Sequence, residues 1–273
     1  MSPNVESEST SGLYRVSRDE PIAALERRRL LEMAELLDAT TRARIEALGL
    51  APGWRCLEVG PGAGTISRWL GERVGPEGEV VSLDLDLRFH VETKPPVALV
   101  EADLMAAPLP RDHFQVAHAR NVIEHLPDPL AALARLVDVL EPGGWLLIED
   151  GDFVTIDEAP LPEAFRALHD AATAAGLRRS PHWKRRYGSR MRADLMQLSL
   201  EDVAVDETRR TLVGGTPGAE SYLLGLEYAV PGLVAGGLIE AKVAEEALAL
   251  ARRSDFSLPG PVHVIGVGRK PLR

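Results

Sequence analysis

Apolar positions along this chain switch between two spacings. Short runs of aliphatic and β-branched residues read as strands: Cys56–Val59, Glu79–Asp84, Val97–Asp103, Phe114–His118 and Trp145–Asp150. Between them apolar residues fall three and four apart, as in Ile66, Leu70 and Val74, or Leu130, Leu133, Val137 and Leu140, which predicts helices. Asp128 is placed to cap the second of these, with Pro129 in its first turn. Ahead of the first strand, Ile22, Leu25, Leu30, Met33, Ala34 and Leu37 predict a helix from Pro21 to Leu37. Asp38 then caps a second helix running to Ala47 before Gly49. Further helices are expected over Ala164–Ala175, Ala219–Tyr228 and Ile239–Arg252, and late strands at Val203–Val205 and Val262–Val267. Strands alternating with helices, with polar residues gathered at the strand ends, describe an α/β protein whose site lies at the carboxyl edge of its sheet.

The sharpest punctuation follows the first strand. Glu58-Val59-Gly60-Pro61-Gly62-Ala63-Gly64-Thr65 sets three glycines on alternate positions between strand and helix. Glycine there permits a sharp bend and keeps Cβ atoms from standing between backbone and ligand. A dinucleotide loop reads G-x-G-x-x-G and receives a pyrophosphate. Here the acid Glu58 would repel a pyrophosphate but suits a ligand bearing an ammonium group. Asp84 closes the second strand 24 positions after Gly60, near the roughly 20-residue offset at which such an acid accepts from ribose hydroxyls. Asp103 closes the third strand, followed by Leu104, and Arg120-Asn121-Val122-Ile123-Glu124-His125-Leu126 follows the fourth.

These four sites, in this order, resemble the class I S-adenosylmethionine-dependent methyltransferases, with Glu124-His125-Leu126 similar to the segment after strand four in the small-molecule branch. The resemblance implies a three-layer, Rossmann-like α/β sandwich with a seven-stranded, mostly parallel sheet, its last strand antiparallel, plus helical lid insertions. It implies S-adenosylmethionine as cofactor and S-adenosylhomocysteine as product. Glu58, Gly60, Gly62 and Gly64 would surround the methionine moiety, Asp84 the ribose, Asp103 and Leu104 the adenine, and Asn121 the sulfonium side. Thr65, Leu85 and Arg120 complete the expected cofactor set. The expected organisation is an N-terminal helical cap (1–50), a cofactor-binding core (51–150), and helical lid insertions with the last core strands (151–273).

Composition narrows the partners. Of 273 residues, 31 are Lys or Arg and 41 Asp or Glu, a net charge of −10. That balance argues against non-specific nucleic-acid or anionic-membrane binding. Cys56 is the single cysteine, so neither an intramolecular disulfide nor a cysteine-cluster metal site is possible. No apolar run is long enough to span a bilayer and no signal peptide is evident, so a cytoplasmic protein with a small-molecule substrate is expected, a homodimer being one option for its assembly. No metal is expected, although Glu149, Asp150 and Asp152 are the acids nearest to a divalent-ion set.

Methyl transfer to a hydroxyl or an acidic carbon calls for a base. His125 is the first candidate, with Asp150 and Asp152 at the end of strand five and His182 behind it; His118 is expected to be structural, and His90, His113, His169 and His263 have no assigned part. Tyr14, Trp183, Tyr187 and Tyr222 offer aromatic surface to a substrate, and a basic run from Arg178 to Arg192 offers anion contacts. The alternative reading keeps the cofactor but uses its sulfonium charge in a non-methylating cyclisation or rearrangement. A protein or nucleic-acid methyltransferase ranks lower, and a nicotinamide-dependent oxidoreductase last.

Overall fold

Five strands form at the expected runs: β1 (Arg55–Val59), β2 (Glu79–Asp84), β3 (Val97–Glu101), β4 (Phe114–Arg120) and β5 (Leu140–Asp152). They are followed by β6 (Glu201–Thr208), β7 (Thr211–Val213), β8 (Ser257–Pro259) and β9 (Val262–Arg269). The computed structural model describes residues 20–272. Its main sheet has the order β3-β2-β1-β4-β5-β9-β6. The first five strands are mutually parallel, and β9 runs antiparallel to both β5 and β6. The predicted seven-stranded α/β sheet with an antiparallel last strand is therefore present. β7 and β8 pair with each other in a separate two-stranded sheet that the sequence pattern did not announce.

Strand order reverses direction between β1 and β4, so the loops leaving these neighbours diverge and open a crevice at their carboxyl ends. Alternation along β1 sends Leu57 and Val59 to one face of the sheet and Cys56 and Glu58 to the other. On the first face, α3 (Pro129–Val139) and α6 (Tyr187–Met196) cover a core containing Leu133, Leu136, Tyr187, Met191 and Leu195. On the second, α2 (Thr65–Val74) buries Ile66, Leu70 and Val74 against Cys56 and Val80. Each fully buried leucine here stabilises the layers by roughly 2 kcal/mol. Burial also pushes the Cys56 thiol far above its ordinary pKa, so it is an inert core residue.

Asp128 does cap α3, accepting from Ala131 N–H at 3.0 Å. The expected break at Asp38 is absent: α1 is one helix, Glu20–Ala47. After Pro21 in its first turn no glycine or proline follows, and its buried stripe runs on through Leu30, Ala34, Leu37, Thr41 and Ile45. Asp38 spends its carboxylate on Arg42 and Arg120 rather than on a helix start.

A third apolar cluster lies beyond the sheet edge. α5 (Glu163–Arg179), α7 (Pro217–Ala235) and α8 (Ala241–Ala251) gather Phe165, Leu168, Leu223, Leu226, Ala244 and Ala247, with Leu212 of β7 and Leu258 of β8. The short α4 (Val154–Asp157) links this lid to the end of β5. α7 extends past Tyr228 and through Pro231, longer than its sequence pattern indicated.

Candidate active site

A cavity of about 820 Å³ opens at the carboxyl ends of β1, β2, β4 and β5, beneath α1 and α7. Its floor at one end is the glycine loop. Gly60 (φ +66°) could carry no side chain, because a Cβ would stand 2.2 Å from Val122 Cγ2. Gly64 (φ +72°) is not in the cavity wall as the resemblance implied; it makes room for the His90 imidazole, which a Cβ would meet at 2.4 Å. His90 Nε2 lies 3.1 Å from Ser82 Oγ, which is 2.7 Å from Ser67 Oγ, and Ser67 Oγ donates to Glu58 Oε2. Glu58 thus lines the cavity from a buried position. Burial pushes its carboxyl up, opposed by His118 and the Ser67 hydroxyl.

Acids stand at the ends of successive strands. Asp84 accepts from Asp86 N–H at 3.2 Å, and burial raises its carboxyl to about 6 against the pull of the Asp86, Leu85 and Gly62 amides. Asp103 Oδ1 accepts from Met105 N–H at 2.8 Å, turning the chain so that Asp103 and Leu104 both line the cavity. After β4, Asn121 takes a left-handed conformation (φ +54°), which asparagine tolerates better than most residues. Its N–H donates to Glu149 O at 2.7 Å and its Nδ2 approaches Met33 Sδ at 3.1 Å. Gly62, Thr65 and Leu85 also line this half. Arg120 does too, but its guanidinium is tied to α1 through Thr41 Oγ1 (2.8 Å) and Asp38 Oδ1 (2.9 Å), anchoring the roof.

Behind the wall runs a buried polar row. Glu58 Oε1 is 3.9 Å from His118 Nδ1, His118 Nε2 is 3.3 Å from Glu149 Oε1, and His263 Nε2 is 2.9 Å from Glu149 Oε2. Burial alone would raise Glu149; the two imidazoles outweigh it and hold the carboxyl well below its usual range. His263, given no part by sequence reasoning, is in the cavity wall.

The opposite end is aromatic. The His125 ring stacks on Trp183 (centroids 5.9 Å apart, planes at 21°), and its Nε2 lies 3.3 Å from Glu124 Oε1. Phe153 meets Trp183 edge-on at 5.5 Å, with the Arg185 guanidinium over both rings. Tyr222 lines the wall with its hydroxyl 2.6 Å from His169 Nδ1. Lys184 N–H donates to Glu124 O at 2.8 Å, pinning the Trp183 segment onto the His125 loop.

Three further expected site residues do not join this group. Asp150 is fully buried on the other face of β5 from Glu149, because neighbouring strand side chains alternate; burial and the Glu124 charge raise its carboxyl well above normal. Tyr187, the first residue of α6, is a core residue, 1% exposed. His182 lies outside the cavity wall and contributes only a carbonyl, to Lys184 Nζ. Tyr14 falls outside the described residues. Glu149, Asp150 and Asp152 form no cation set, since Asp152 accepts from Val154 and Ser189 N–H, each at 3.0 Å. Among the described residues no group of three or more His, Cys, Asp or Glu could hold a metal, and no helix is long and apolar enough to cross a membrane. Sequence reasoning missed Phe153, Arg210 and, apart from Tyr222, the α7 wall. One signal for the last was present: Gly218, Gly225 and Gly232 recur every seven residues, and all three face the cavity.

A family model described as a methyltransferase domain matches residues 25–191. Methyltransferase str2 of Strobilurus tenacellus is 33% identical over 114 residues, 39% of this chain and 40% of its own length. The ubiquinone/menaquinone biosynthesis C-methyltransferase UbiE of Ectopseudomonas mendocina is 33% identical over 116 residues, 39% of this chain and 45% of its own. The chain thus matches less than half the length of these curated relatives. Among solved structures, phosphoethanolamine N-methyltransferase 2 of Haemonchus contortus, in complex with S-adenosyl-L-methionine, shares the fold. It superposes with a TM-score of 0.54 at 17% identity, covering 85% of this chain and 52% of that one. The family match runs from the roof helix α1 into α6, well over half of the residues, and the chain accordingly belongs to the methyltransferase-domain family.

Proposed function

We propose that the chain transfers a methyl group from S-adenosylmethionine to a small-molecule acceptor, in the cytoplasm. The observation that carries this reading is one continuous cavity with Glu58, Asp84 and Asp103 at one end and Trp183, Phe153 and Tyr222 at the other. The residues present fit the cofactor: Gly60 leaves backbone unshielded where a Cβ has no room, and Asp84 presents a buried carboxylate suited to a ribose diol. Glu58 would meet the ammonium group, and Asp103 with the Leu104 N–H the adenine edge. When bound, S-adenosylmethionine supplies a methyl carbon made electrophilic by its sulfonium.

The chain's own contribution is alignment, dryness and proton handling. Leu30, Met33 and Leu37 of α1 close the cofactor end from above. Holding donor and acceptor in line lowers a barrier by about 7–11 kcal/mol without any catalytic group. His125 is placed to take an acceptor proton at its imidazole, with Glu124 beside it and Trp183 fixing its plane.

Calorimetric titration with S-adenosylmethionine and S-adenosylhomocysteine tests the reading. Saturable one-to-one binding, weakened by Asp84→Ala, is expected; binding of NADH in their place would sink it. Mass spectrometry of acceptor mixtures should then show the gain of one methyl group, with turnover lowered by roughly 10²–10⁴-fold in His125→Gln if the acceptor must lose a proton.

A further inference from the structure

Five arginines line the cavity: Arg179 lies over the Tyr228 ring, 5.1 Å from its centroid, and the other four can be sorted by their counter-ions. Arg29 holds Glu26 at 2.7 Å, Arg120 holds Asp38 at 2.9 Å, and Arg185 holds Asp157. Arg210 differs. Its Nη2 reaches Thr40 Oγ1 at 3.4 Å, and no carboxylate of the described residues lies within salt-bridge distance. Its position is nevertheless fixed, since Gly260 N–H donates to the Arg210 carbonyl at 2.8 Å beside the start of β9. Burial works against its charge. Glu149 feels it electrostatically, but that carboxylate is already taken up by His118, His263 and Thr41.

We infer that the acceptor is a ring-bearing acid whose carboxylate docks on Arg210. A guanidinium offers a planar fork matched to a carboxylate, and a half-buried one without a counter-ion gains most from receiving it. Charge sets the orientation. Glu58, Asp84 and Asp103 give the same cavity carboxylates that repel an acidic acceptor, whereas Arg210 attracts its carboxylate. The aromatic wall of Trp183, Phe153 and Tyr222 supplies the surface for its ring. The inference rests on the methyltransferase reading above and adds the chemical class of the acceptor.

The test uses the full chain saturated with S-adenosylhomocysteine and titrated calorimetrically with benzoate and with its neutral counterpart benzamide. Wild type should bind benzoate at least about tenfold tighter, Arg210→Met should bring the two within about twofold, and Arg210→Lys should fall between. Unchanged circular dichroism and S-adenosylhomocysteine affinity establish that the variants are folded. Equal affinities in wild type, no benzoate binding, or a preference that survives in Arg210→Met overturns the proposal. So does a loss of more than about tenfold in S-adenosylhomocysteine affinity with the benzoate preference intact, which assigns the guanidinium to the cofactor's own carboxylate. If S-adenosylhomocysteine does not bind wild type, the cofactor reading fails separately, and the same benzoate–benzamide comparison on the free protein still judges Arg210.

Discussion

The two ends of the cavity are built on different principles. At the cofactor end, each polar group sits at a strand terminus: Glu58 on β1, Asp84 on β2, Asp103 after β3, Asn121 after β4. Backbone pairing sets their spacing, and little side-chain packing is needed to place them. At the other end, Trp183, Phe153, Tyr222, Arg210 and His263 come from separate segments: Phe153 and Tyr222 pack against the lid's own apolar cluster, while the pairing of β9 with β5 places His263. The first end is rigid because the sheet is; the second can change its lining without disturbing the sheet. A fold arranged this way keeps one ligand half constant while the other varies.

The largest effect that would test this contrast is expected at Gly60. Gly60→Ala sets a methyl group against Val122 in a left-handed backbone conformation and should destabilise the protein by about 3 kcal/mol or more, with loss of S-adenosylhomocysteine binding. Thermal denaturation and calorimetry read both. A variant that binds normally would show that the glycine loop is not where backbone meets ligand.

Asp84 should separate stability from binding. Its carboxyl is raised from 3.8 to about 6 in the folded chain, so the native state holds the proton more tightly than the unfolded state. Stability therefore falls as pH rises through that window, and the ionised group costs about 3 kcal/mol above it. Asp84→Asn should melt higher than wild type at pH 7.5, with the gap closing near pH 4. Its S-adenosylhomocysteine affinity should be lower by about tenfold or more, and the wild-type affinity alone should decline as pH drops below about 6. A variant less stable than wild type at pH 7.5 would contradict the assigned burial cost.

The smallest effect belongs to the lid. Tyr222→Phe removes the 2.6 Å contact with His169 and should lower stability by about 1 kcal/mol while leaving S-adenosylhomocysteine affinity unchanged. A change in cofactor affinity would mean that the two ends are coupled, the Glu58–His118–Glu149–His263 row being the physical route.

How much of this was legible follows from range. The glycine loop, the strand-end acids and the Asp128 cap depend on neighbours within a few residues, and each reads directly from local pattern. The break expected at Asp38 failed because a residue suited to cap a helix also serves inside one when arginines are in reach, and one of them, Arg120, sits on β4. Asp150 failed for a simpler reason. A strand end with consecutive acids suggests that one faces the crevice, whereas both are fully buried here: Glu149 against His118 and His263, and Asp150 on the other face of β5.

From the sequence alone, the alternation of strands and helices, the place of the crevice and the ligand class of its first half were determined, because periodicity and turn chemistry are local properties of a chain. The tertiary structure decided the rest: that His263 faces the cavity while Tyr187 is core, and that Arg210 stands there without a carboxylate partner. Those outcomes depend on which remote segments share a face, and that is settled by the pairing of β9 with its neighbours and by how distant apolar residues bury themselves together, rather than by any short run of residues.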